Sequence, residues 1–116
     1  LEPDESPLRA CKRELREEIG FVPPIGGLLC VDWVSLRPPW DGGLMFLFDG
    51  GVFSATQIAD IRLPHDELER FDFVPLGHLG SVLIPRLARR VLACLPPQGR
   101  GGAYLEDGVA GLEATR

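Results

Sequence analysis

Positive charge is in short supply in this chain: 12 Lys and Arg stand against 17 Asp and Glu, a formal net charge of −5 over 116 residues. Such a balance argues against a nucleic-acid polymer or an anionic membrane as partner, though not against a small phosphorylated ligand held through a metal. Cysteine is scarce too. Cys11, Cys30 and Cys94 are too widely and irregularly spaced for a disulfide framework or a zinc site, so buried thiols in a reducing compartment are expected. No apolar run approaches the ~18 residues of a membrane span. The acidic start, Leu1 to Glu5, is no signal peptide, which leaves the cytoplasm as the expected location. Methionine occurs once, at Met45, and no internal repeat is present. Apolar residues nevertheless make up 45% of the chain, enough for the core of one small domain.

The stretch from Glu5 to Phe21 carries the strongest local signals. Ser6 suits an N-cap, Pro7 the first helical position and Gly20 the left-handed residue that ends a helix, so a helix is predicted over 6–19. At roughly 100° per residue, Leu8, Cys11, Leu15 and Ile19 form an apolar stripe. Arg9, Lys12, Arg13 and Arg16 form a basic side. Glu14, Glu17 and Glu18 share the remaining arc. Like charges at that spacing repel by a few tenths of a kcal/mol per pair, on the order of an ordinary helix-surface interaction. Arg13 to Glu17 and Glu5 to Arg9 are i,i+4 pairs that offset some of this, and a charge run on a helix is ordinarily a solvated face. The sharper reading is a hard divalent cation: carboxylates one turn apart suit Mg²⁺, which takes one or two of them and fills its other positions with water and phosphate.

Glu5, seven residues, then Arg-Glu-Leu-x-Glu-Glu-x-Gly-Phe resembles the Nudix box, the signature of hydrolases of nucleoside diphosphates linked to another moiety. Glu5, Arg13, Glu14, Leu15, Glu17, Glu18, Gly20 and Phe21 fit the pattern; its first Gly would lie before Leu1. The resemblance implies an α/β/α sandwich around a mixed sheet, with the strands that usually precede the box missing from this chain. It implies metal ligation by Glu17 and Glu18, with Glu14 as a further ligand or as the group that activates water. Arg13 would orient that carboxylate, and Glu5 would tie the loop to the helix. Mg²⁺ is the implied cofactor, Mn²⁺ an acceptable substitute, and a nucleoside diphosphate derivative the substrate. Family members often add a carboxylate from a distant loop; among Asp66, Glu67 and Glu69, Glu67 is the candidate. Trp33 and Trp40 offer faces on which a base could stack. His65 and His78 lack a partner motif and read as surface or loop histidines.

Beyond the box, strands are predicted at 28–36 and at 44–48, the latter a continuous apolar run typical of a strand buried on both faces. Asp32 is the only charge in the first of them. Further strands are expected at 52–54, 58–63 and 71–75, with a polar helical turn at 65–70 and a loop at 77–80. Pro85 opens a second helix to residue 95, with Arg86, Arg89 and Arg90 opposite its apolar face. Residues 1–95 read as one Nudix-like domain and 96–116 as a Gly- and Pro-rich, mobile tail. Two functional readings follow: a Mg²⁺-dependent phosphoanhydride hydrolase, or an inactive module that binds without turnover. Missing strands would leave open sheet edges and invite a homodimer. Isomerase chemistry on an isoprenoid diphosphate shares the fold but has no residue here in its specific support.

Overall fold

The structure is a computed structural model that describes residues 2–64, 70–95 and 102–110. It is an α/β protein with several helices and a four-stranded mixed sheet. The chain divides into two compact units, Leu1–Gly26 with Gly50–Phe73, and Gly27–Asp49 with Val74–Arg116. No helix among the described residues is long and apolar enough to cross a membrane.

The first unit is built on α1 (Pro7–Ile19), which keeps the predicted punctuation. Ser6 is extended and its Oγ accepts from Arg9 N–H at 3.2 Å. Gly20, at φ 89°, donates its N–H to Arg16 O at 3.1 Å. Arg62 N–H then donates to the free carbonyl of Ile19 at 2.8 Å, which returns the chain to the helix end. Glycine is required at position 20 twice over, since a Cβ there would also lie 3.0 Å from Arg62 Cβ.

The three strands expected at 52–54, 58–63 and 71–75 are absent. Ser54 caps a short helix instead, α2 (Ala55–Ala59), through a reciprocal box in which Ser54 Oγ accepts from Gln57 N–H and Gln57 Oε1 from Ser54 N–H. Ile58 therefore falls in a helix, and residues 60–63 take no regular form. Residues 71–75 also form no strand. Phe71 and Phe73 extend an aromatic chain with Phe53 and Phe21, at centroid spacings of 5.8 to 6.1 Å. The turn expected at 65–70 lies almost wholly outside the described residues.

The second unit contains β1 (Leu28–Val34), β2 (Gly43–Phe48), α3 (Pro85–Cys94), β3 (Ala103–Glu106) and β4 (Val109–Ala110), with a 3₁₀ turn at Leu76–Ser81. The sheet order is β2-β1-β3-β4; β1 runs antiparallel to β2 and parallel to β3. The tail predicted to be mobile thus supplies β3, a strand in the middle of the sheet. Asp107 and Gly108, at φ 51° and 81°, turn it back into β4 as Asp-Gly pairs do in tight hairpins. Strand β2 is not buried on both faces: Leu44 is 55% exposed and Met45 48%, and among the described residues the strand lies at the sheet edge with β1 alone beside it.

One face of β1 carries Cys30 and Asp32, both fully buried, and α3 covers it. Cys30, Cys94 and Leu105 form the core. Asp32 Oδ2 accepts from Arg90 Nε at 2.6 Å and its Oδ1 from Gly108 N–H at 3.0 Å. One carboxylate therefore joins β1, α3 and the β3–β4 turn. Removing one member of a buried ion pair costs about 3–5 kcal/mol, whereas apolar replacement of both is far milder. Arg90→Leu is expected to lose about that much in urea denaturation. Asp32→Leu combined with Arg90→Leu is expected to be more stable than either single variant, with only the Gly108 N–H left unpaired at about 1–3 kcal/mol.

Candidate functional site on the first helix

The acidic face predicted from the sequence exists as a face of α1. Glu14, Glu17 and Glu18 are all exposed on it. Behind them Arg13 makes the dominant polar contacts of the helix. Its Nε donates to Glu5 Oε2 at 2.8 Å and its Nη2 to Glu5 Oε1 at 3.2 Å, a fork-on-fork pair. Its Nη1 reaches Glu17 at 3.2 and 3.3 Å. Glu5 also accepts from Glu2 N–H at 2.9 Å. The guanidinium is thus held between the residue before the helix and the acidic face, and Glu5 ties the preceding loop down.

The electrostatics follow from these contacts. Hydrogen bonds from Arg13, then from the Glu2 backbone, lower the Glu5 carboxyl to about 2. Arg13 is pushed further above its ordinary range, chiefly by Glu5. Glu14 makes itself felt at Cys11, whose thiol is raised first by burial and then by that carboxylate. Among the described residues neither Glu14 nor Glu18 has an ion-pair partner.

An all-oxygen donor set one helical turn apart suits a hard cation. Among the described residues, however, no group of three His, Cys, Asp or Glu is gathered closely enough to hold a metal, and Glu17 is engaged by Arg13. Mg²⁺ itself asks for only one or two protein carboxylates and completes its shell with water and phosphate oxygens.

The other expected site residues lie elsewhere. Trp33, on β1, is 44% exposed, and Trp40, in the loop after β1, is 75% exposed; both belong to the second unit. Glu67, with His65, Asp66 and Glu69, lies outside the described residues. His78 sits exposed in the 3₁₀ turn. Comparison with protein-family models, with curated proteins and with solved structures gives no match.

Two polar constellations in the second unit were not picked out from the sequence. Asp32 with Arg90 is one. The other is Asp107, which accepts from Ser35 N–H at 3.0 Å and from Ser35 Oγ at 2.9 Å. These bonds, with Arg37 nearby, hold its carboxyl below the usual range. Both constellations spend their hydrogen bonds on the protein itself and read as structural. A lone charge inside an apolar strand was the available signal for the first. Cys30 and Cys94 are fully buried, and burial pushes the Cys30 thiol up to about 12 and raises that of Cys94 as well.

Glu5 gives the site a pH signature. Its folded value lies below the ordinary 4.5, so its contribution is complete above pH 4.5 and disappears as the pH falls toward about 2. The thermal stability of Glu5→Gln relative to the unsubstituted chain tests this. The difference is expected to be constant above pH 4.5 and to shrink below it; a difference independent of pH contradicts the assignment.

Proposed function

We propose that the chain is a Mg²⁺-dependent hydrolase of phosphoanhydride bonds in nucleoside diphosphate derivatives, of the Nudix type. The observation that carries this reading is one helix face. Exposed Glu14, Glu17 and Glu18 stand between the Ser6 and Gly20 caps, on a helix whose Arg13 is locked to Glu5. The agreement with the Nudix box includes that pair as well as the acids, and a merely solvated helix face has no need of it. On this reading the mixed sheet belongs to an α/β/α sandwich.

Glu17 and Glu18 would hold the metal, with Glu14 as a further ligand. The bound cation supplies charge neutralisation at the diphosphate oxygens and lowers the pKa of attacking water. Everything else falls to the protein. Glu14, in place of its role as a ligand, or Glu67 would take the proton from the water. Arg13 fixes the position of the acidic face through its fork on Glu5, so that the carboxylates need not be ordered at the moment of reaction. An acidic helix alone repels a diphosphate, so both binding and turnover should require the metal.

Release of phosphate or nucleoside monophosphate from a panel of nucleotide sugars, ADP-ribose and nucleoside triphosphates provides the test. Turnover is expected with Mg²⁺ or Mn²⁺ and not with chelator. Glu14→Gln is expected to lower it by about 10²–10⁴-fold, the range of general-base loss. Glu17→Gln and Glu18→Gln are expected to raise the Mg²⁺ requirement as well. Nucleotide binding without turnover on any substrate favours the inactive module; neither binding nor turnover removes the reading.

A further inference from the structure

Strand β2 ends the sheet, with β1 on one side and no strand on the other among the described residues. Edge strands are ordinarily guarded by charge, proline, bulges or shortness. The opposite edge, β4, is guarded by its two-residue length. Gly-Leu-Met-Phe-Leu-Phe has none of these guards, and the only irregularity nearby is the bulge at Leu28/Cys30, on β1. The strand is left with an open row of backbone donors and acceptors beside exposed Leu44, Met45 and Phe46.

The surface around this edge is apolar too. Trp33 stands directly opposite Leu44, and Val31 opposite Phe46. By strand alternation these four share the sheet face opposite the one on which Cys30 and Asp32 are buried. Leu36, 66% exposed, and Trp40 lie in the connecting loop. An aromatic side chain offers ~150–250 Å². On that scale the exposed parts of Trp33, Leu36, Trp40, Leu44, Met45 and Phe46, on both sheet faces and the loop, come to roughly 500–800 Å², at most what one partner contributes to a standard stable interface.

We propose that β2 pairs antiparallel with β2 of a second copy of this chain, joining two four-stranded sheets across a two-fold axis. Charge permits this occupant. Two copies at net −5 repel over most of their surface, and β2 is an uncharged strip on which they can approach. Geometry favours it: an antiparallel strand pair is self-complementary, so the contact is isologous and closes at two copies. The inference stands independently of the proposed hydrolase activity.

Sedimentation of the whole chain over a range of concentrations tests it. The expected result is a monomer–dimer equilibrium in the micromolar range. Met45→Lys, which puts a charge on the edge, weakens it by about tenfold or more. Val109→Lys, on the other edge, leaves it unchanged. Amide exchange in the unsubstituted chain needs no folded variant: residues 43–48 are expected to exchange more slowly as the dimer fills. A monomer up to about 100 μM, association beyond two copies, equal effects of the two lysines, or exchange at 43–48 that ignores concentration would each overturn the proposal.

Discussion

A fully buried aspartate has to meet a cation and a donor or stay out of the core, and Asp32 meets both. Arg90 reaches it from α3, and the Gly108 amide reaches it from the turn after β3. Among the described residues, no other side chain of the second unit is shown to tie together so many of its elements. A Cβ at position 108 would come within 2.9 Å of Arg86 O, so the glycine permits both the left-handed turn and its close approach to α3. The small core of Cys30, Cys94 and Leu105 lies on the same elements. The satisfied charge stands beside that core and joins β1, α3 and the β3–β4 turn.

Helices α1 and α3 were legible because their signals are local. Ser6, Pro7 and Gly20 mark α1 within a few residues of where its hydrogen bonds start and stop, and Pro85 marks α3. The strands were less so. An apolar run predicts burial, but whether β2 has one neighbour or two is decided by chain topology far from the run itself. β3 has four residues, too few for a period, and it sits in a glycine-rich stretch; the Asp-Gly turn after it was the one local clue. Val52 to Ser54 has strand-forming residues, yet Ser54 and Gln57 stand at capping-box spacing, and the cap prevails.

The site divides in the same way. Glu5 and Arg13 sit at a spacing that the sequence pattern contains, and the structure joins them with two hydrogen bonds. Asp32 and Arg90 are 58 residues apart and could be paired only by folding the chain. Arg13 has two charged neighbours to serve, and it serves Glu5 at shorter distance than Glu17. On the proposed reading Glu17 would be the more readily released to a cation, while Glu14 and Glu18 have no ion pair to give up among the described residues. The crowding of three acids on one turn is a cost that a divalent ion bridging to a diphosphate would relieve.

That exchange of partners can be watched without relying on turnover. Side-chain carboxylate resonances of Glu14, Glu17 and Glu18 can be followed as Mg²⁺ is added in the presence of a nucleoside diphosphate. The account predicts saturable shifts at Glu17 and Glu18, with the Arg13 Nη signals moving as Glu17 leaves and the Glu5 carboxylate holding its place. Resonances that remain unmoved at millimolar Mg²⁺ with nucleotide present would contradict it.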